Sequence, residues 1–210
     1  EEHTCEAAVI DGKVVWRTST YYLPGPLQVL ENPWMQYCVL LPREEQDHVK
    51  KFAPVNTKAL QALGLKTGFS HMEWFLRKDG TPVVSEVGAR PPGVNIMALN
   101  GITTGSNPWR AWLELTIFGR WEMKPRSSAA GCAFLRGQGR GRRIVAVEGI
   151  EELKRSLGSH LVDAKWPRVG DPRSSHYEGE GWVIVQGRTT EEAVAALRKV
   201  VTTVRVHCGA

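Results

Sequence analysis

The segment 69–93, FSHMEWFLRKDGTPVVSEVGARPPG, gathers side chains that could do chemistry. It reads as two strands joined by Asp79-Gly80, a dipeptide that favours the tight turns of β-hairpins because both positions tolerate positive φ. With those two residues as the turn, Lys78 faces Thr81, Leu76 faces Val83, and Glu73 falls directly opposite Glu86. Like charges opposite each other in a sheet repel. A cation between the carboxylates would relieve that repulsion. Mg2+, held by one or two carboxylates together with phosphates, suits such a pair. Side chains alternate along a strand, so the same face carries His71 and, past the strand end, Arg90. The spacing also describes an ordinary solvent-facing hairpin whose glutamates hold nothing.

The rest of the chain must position these groups. Its 210 residues are 42% hydrophobic and 23% charged, which points to a packed globular protein of one large or two small domains. No apolar run reaches the length of a membrane span, and no basic start followed by an apolar stretch marks a secretory signal, so a cytoplasmic setting is expected. Cys5, Cys38, Cys132 and Cys208 show no short spacing, which argues against a cysteine zinc site and for reduced structural thiols. The net charge of +5 is concentrated at Arg136, Arg140, Arg142 and Arg143, interleaved with Gly137, Gly139 and Gly141. Arginine–glycine segments can bind single strands. This one lies between two strand-like runs, CAFLR and RIVAVEG, and reads as a solvated or phosphate-facing hairpin loop. Nucleic acid is not the expected partner.

The chain opens on a second hairpin, TCEAAVI and KVVW around Asp11-Gly12, whose two-residue turn sets Glu6 opposite Arg17. Residues 19–30 read as an aromatic, proline-containing loop that could line a site or act as a lid. YCVLL is a short strand. From 42 to 63 a helix is expected, ended or kinked at Pro54, with Gly64 as its stop. VNIMALNG reads as a short helix bounded by glycines. Ser106-Asn107-Pro108 caps another, with Trp109, Trp112, Leu113, Thr116 and Ile117 as its buried face. A change of character at Lys124–Ser128 marks a boundary, dividing the chain into 1–124 and 125–210. Beyond it come short strands and a last helix. That helix starts at the capping box Thr189-Thr190-Glu191-Glu192 and buries Val194, Leu197, Val200, Val201 and Val204. Without regular strand–helix alternation, the class is α+β.

The pattern His71-Met-Glu73-Trp-Phe75, Asp79-Gly80, Ser85-Glu86-Val-Gly88-Ala-Arg90-Pro91-Pro92-Gly93 resembles the second half of an ATP-grasp domain, in the branch of L-amino-acid and biotin-carboxylase-like ligases. The run Arg168-Val169-Gly170-Asp171, Gly181-Trp182-Val183 and Gly187 to Ala193 is similar to the tail domain of such ligases. The resemblance implies an antiparallel sheet with packed helices over 1–124, the C-terminal lobe of an ATP-grasp domain, and a small α+β tail over 125–210. It implies ATP and Mg2+ (or Mn2+) as cofactors, with Glu73 and Glu86 as metal ligands. Arg90 would hold the transferred phosphate or acyl phosphate, with His71 beside the metal pair. The reaction implied is an ADP-forming ligation of a carboxylate to an amine, with carboxylate–thiol and carboxylating variants in the same family. Many members carry Asn two residues after the second glutamate; Gly88 stands here and puts a complete second metal site in doubt. The phosphate-binding lysine lobe would lie upstream in the same enzyme, so these residues by themselves would be inactive. Ligases of this type are often homodimers. The competing reading is a non-catalytic interaction or regulatory domain on the ATP-grasp scaffold.

Overall fold

The first hairpin turns at Asp11-Gly12. In the computed structural model, which describes residues 1–32 and 34–209 (the backbone alone at 26 and 27, in the stretch 19–30 that was expected as a loop but holds a strand and a helix), strands β1 (Glu2–Ile10) and β2 (Lys13–Thr18) meet there. Both turn residues have positive φ, 50° and 76°, as a turn matched to strand twist requires. Ile10 pairs with Lys13 and Val9 with Val14, but the register then shifts between Ala8 and Val9. The expected Glu6–Arg17 pair does not form: Glu6 lies opposite Thr18, and Arg17 opposite Ala7. One extra residue on β2 displaces every later partner by one. Arg17 instead donates to Asn56 Oδ1 at 3.0 Å and Thr57 Oγ1 at 2.9 Å.

The chain clusters into two units, one made of 1–21 and 41–127, the other of 22–40 and 128–210. The segment 22–40, which a linear division at 124/125 assigns to the first part, clusters with the second. It holds β3 (Tyr21–Leu23), α1 (Pro26–Glu31) and β4 (Tyr37–Leu41), the outer two overlapping its ends by one residue.

In the first unit, α2 (Asp47–Ala62) runs unbroken through Pro54, against the expected break. Its buried residues Val49, Phe52, Asn56 and Leu60 form one face, docked on Cys5, Ala7, Met72 and Trp74. Phe52 stacks on Trp74 at 3.9 Å between centroids. An interior proline costs about 3 kcal/mol. Burying three apolar side chains at about 1.5–3 kcal/mol each exceeds that, so packing decides for the helix.

Strands β5 (Gly68–Leu76) and β6 (Pro82–Gly88) form the second hairpin. Its turn differs from the expected one. The Arg77 N–H bonds to Thr81 O, the Gly80 N–H to Arg77 O, and Gly80 has φ 80°, so three residues rather than two make the connection. Leu76 therefore pairs with Pro82, and Trp74 with Val84. A bulge then follows between Glu73 and Trp74, and Glu73 pairs with Glu86 after all. Two one-residue displacements cancel. With β1 antiparallel to β5, the unit's sheet runs β2-β1-β5-β6.

The other face of that sheet is covered at one end by α3 (Ile96–Thr104) and α4 (Pro108–Phe118), with Met97 and Leu115 packed on Ala8 and Phe69. Helix α3 passes through Gly101, expected as its end, and stops at Gly105. A Cβ on Gly101 would lie 3.1 Å from Pro108 Cδ, so the glycine serves close helix approach. In α4 the Asn107 side chain accepts the Arg110 N–H at 3.0 Å, as its cap predicts. The buried face of α4 is Pro108, Ala111 and Leu115, while Trp109, Leu113 and Ile117 are exposed. Of the expected stripe only Trp112 packs on this cluster; Trp109, Leu113, Thr116 and Ile117 face outward, because the contact surface is centred about one residue away, on Ala111 and Leu115.

The second unit contains β7 (Ala129–Leu135), β8 (Arg143–Glu148), α5 (Ile150–Leu157), a 3-10 turn (Gly158–His160), β9 (Leu161–Lys165), β10 (Gly181–Gly187), α6 (Thr190–Thr203) and β11 (Arg205–Gly209). Its main sheet runs β4-β7-β10-β9. Strand β8 pairs with β11 instead of β7, so 136–142 is not the expected hairpin loop. Arg136 is buried and donates through Nη1 to Val29 O at 2.7 Å. Side chains at Gly137, Gly139 or Gly141 would collide with Cys208 or Gly209. Close backbone approach to β11 therefore accounts for the glycines, and a structural contact for the first arginine.

Helix α6 is capped as expected, Thr189 Oγ1 accepting the Glu192 N–H at 3.2 Å. It buries Ala193, Ala196, Leu197 and Val200, so alanines replace Val194 and Val201 in the expected stripe. All four cysteines are free and buried. Among the described residues, no helix is long and apolar enough to cross a membrane.

Candidate active site

The faces of the β1-β5-β6 sheet follow from alternation. Odd residues of β1 and even residues of β5 meet α2; the opposite set, Thr4, Glu6, His71 and Glu73, points to the face shared with α3 and α4. Register then sets two rows across three strands: Glu6, His71, Gly88 and Thr4, Glu73, Glu86. The helices cover the sheet near Ala8 and Phe69. Toward the other end the glutamates become progressively more exposed.

Glu6 is fully buried, His71 is 3% exposed, and the side chains of Glu73 and Glu86 are 26% and 55% exposed. Thr4 Oγ1 donates to Glu6 Oε2 at 3.0 Å. His71 Nδ1 lies 2.9 Å from Glu6 Oε1, and its Nε2 lies 3.5 Å from Glu73 Oε1. Burial pushes the His71 pKa down, but the hydrogen bonds and charges of Glu6 and Glu73 outweigh it and lift the imidazole to about 9. His71 is thus a cation at neutral pH, with each nitrogen turned to a carboxylate. Arg90 Nη2 lies 3.5 Å from Glu86 Oε1. Glu2, on the same face of β1, has its carboxyl raised to about 7 by burial and by the negative charge of Glu73.

The fold brings all four sequence-derived residues, His71, Glu73, Glu86 and Arg90, into one cluster. Ligand atoms of His71, Glu73 and Glu86 lie within 4.8 Å of one another. Both His71 nitrogens face carboxylates, and Glu73 and Glu86 stand on the open side of the cluster. That donor set, oxygen only, fits Mg2+ or Mn2+. A Cβ at Gly88 would lie 3.3 Å from Arg90 Cγ and Nε, so glycine leaves room for Arg90 to reach back to Glu86. Sequence reasoning missed Glu6 and Thr4 because it paired Glu6 with Arg17. The signal available was alternation, which puts both on one face of β1.

No protein-family model matches the chain, and no curated protein matches it. Solved structures do. L-amino acid ligase from Bacillus licheniformis is similar over 100% of this chain and 54% of its own, with a TM-score of 0.77 and 24% identity. Phosphoribosylglycinamide synthetase from Anaerococcus prevotii is similar over 99% of this chain and 53% of its own (TM-score 0.73, 13% identity). N5-carboxyaminoimidazole synthase from Aspergillus clavatus, in complex with ADP, is similar over 96% and 50% (TM-score 0.63, 12% identity). The chain spans about half the length of these structures. Its fold is that of the C-terminal half of ATP-grasp domains.

Proposed function

We propose that these residues are the C-terminal part of an ATP-dependent ligase joining a carboxylate to an amine. The first step is attack of the substrate carboxylate on the γ-phosphate of ATP, giving an acyl phosphate and ADP. The amine then displaces phosphate and forms the C–N bond. Glu73 and Glu86 would hold Mg2+ (or Mn2+), which neutralises phosphate charge when bound. Arg90 presents a planar fork of donors suited to the transferred phosphoryl oxygens and then to the acyl phosphate. His71, charged and wedged between Glu6 and Glu73, fixes the orientation of Glu73; it is a positioning residue. Catalysis of this kind is mainly placement and electrostatic stabilisation, and one well-placed donor is worth about 3–4 kcal/mol.

The observation that carries this reading is the Glu73–Glu86 pair. Two carboxylates face each other across neighbouring strands, backed by a buried His71–Glu6 pair, in a fold whose similar structures are ligases, one of them bound to ADP. The small-molecule carboxylate and amine, the upstream lysine-bearing lobe, self-association as a homodimer, the division into lobe and tail near 124/125 and the cytoplasmic setting all belong to this proposal. The test is Glu86→Gln in the full-length enzyme, followed by phosphate release from ATP with candidate amino acids. Turnover should fall below about 1% of wild type with the fold intact, a loss in the range seen for one transition-state contact. Turnover near wild type at saturating Mg2+ refutes the metal role. Gly88 favours a second reading, a non-catalytic interaction domain, which predicts no amino-acid-dependent phosphate release from the wild-type protein.

A further inference from the structure

The α2-facing side of the same sheet carries a second cluster, built from Glu1, His3 and His48. His3 sits at the start of β1, 1% exposed, stacked on Trp74 at 4.6 Å between centroids. His48 lies in the first turn of α2, its ring 4.8 Å from that of His3. Neither nitrogen of His3 has a hydrogen-bond partner, nor does His48 Nε2, and all three atoms are buried. His3 Nε2 lies 3.5 Å from Glu1 Oε2, beyond ordinary hydrogen-bond range. Leaving a buried polar atom unpaired costs about 1–3 kcal/mol, so folded proteins rarely do so without a water or ion to explain it. Here two such histidines stand side by side, next to an exposed carboxylate.

We propose that Glu1, His3 and His48 bind one divalent transition-metal ion of the zinc class. One ligand atom from each lies within 4.8 Å of the others. In a tetrahedral zinc site with bonds of about 2.0–2.1 Å, the donors stand about 3.4 Å apart. The Glu1 side chain is 74% exposed and free to close that gap by rotation. Two imidazoles and one carboxylate are a recognised zinc donor set that leaves a fourth position for water. Imidazole suits zinc, copper, cobalt and nickel, whereas Mg2+ prefers oxygen alone. This site therefore selects a different ion from the Glu73–Glu86 pair on the opposite face. A bound ion would clamp the start of β1 to the first turn of α2.

The experiment titrates the full chain, stripped with chelator, with Zn2+ by calorimetry and with Co2+ by ligand-field absorption. One ion per chain and Co2+ bands of a tetrahedral or five-coordinate site are expected. His48→Gln should weaken binding more than about tenfold, since even outer partners of a metal site are worth that much, and should leave the metal-free circular dichroism unchanged. His3→Gln should act likewise. Glu86→Gln, on the other face, should leave the Zn2+ affinity and the Co2+ bands of this site as they are. No stoichiometric binding, binding unaltered by His48→Gln, or binding lost with Glu86→Gln instead would overturn the proposal. None of these results bears on the ligase reading, which is measured by turnover.

Discussion

Removing His71 tests the electrostatic centre of the site. In His71→Ala the fully buried Glu6 carboxylate keeps the Thr4 hydroxyl but loses its cationic partner at 2.9 Å. Breaking a buried ion pair from one side costs about 3–5 kcal/mol, because the surviving charge has neither water nor partner. The rise of the His71 pKa from 6.5 to about 9 gives an independent figure of about 3 kcal/mol. The sign follows from linkage. A group with a raised folded pKa contributes its full stability below its unfolded value, about 6.5, and loses it as pH rises through about 9. Urea denaturation followed by circular dichroism should therefore show wild type ahead of His71→Ala by about 3–5 kcal/mol at pH 6, with the gap narrowing toward pH 10. Adding Glu6→Gln to His71→Ala should recover part of the loss, since an amide needs no counter-charge. A gap below about 1 kcal/mol at pH 6, or one that does not narrow with pH, would refute a buried charged pair, since a surface contact is worth no more than that.

Phe52→Ala removes the ring stacked on Trp74 and should cost about 3–5 kcal/mol in the same denaturation assay, the usual range for a fully buried phenylalanine. Ile117→Ser, on the exposed side of α4, should change stability by no more than about 0.5 kcal/mol. A large loss there would mean that α4 is covered by something in solution. Arg136→Met should cost about 2 kcal/mol, as the carbonyls of Val29, Asn32 and Met35 lose a shared buried donor.

Local chemistry was legible where it depends on a few consecutive residues. The Asp11-Gly12 turn, the Asn107 and Thr189 caps and the ends of most strands are set by backbone preferences that a single residue type expresses. The Glu73–Glu86 pairing was legible for a less secure reason. A three-residue turn and a bulge each displaced the register by one residue, in opposite senses. The first hairpin has a bulge without a compensating turn, so Glu6 lost Arg17 as a neighbour and gained His71 from another strand. The face of α4 and the continuity of α2 through Pro54 were not legible either, because both depend on what the helix packs against.

By itself the sequence determined an α+β chain, its turns and caps, and a hairpin carrying two glutamates, a histidine and an arginine on one face, since these rest on side-chain alternation and local backbone energetics. Only the tertiary structure decided that Glu6 lies buried behind His71, that His71 is therefore charged, and that His3 and His48 meet beneath Trp74. Those facts depend on which strands become neighbours and how far each side chain is removed from water, and no spacing within one segment carries that information.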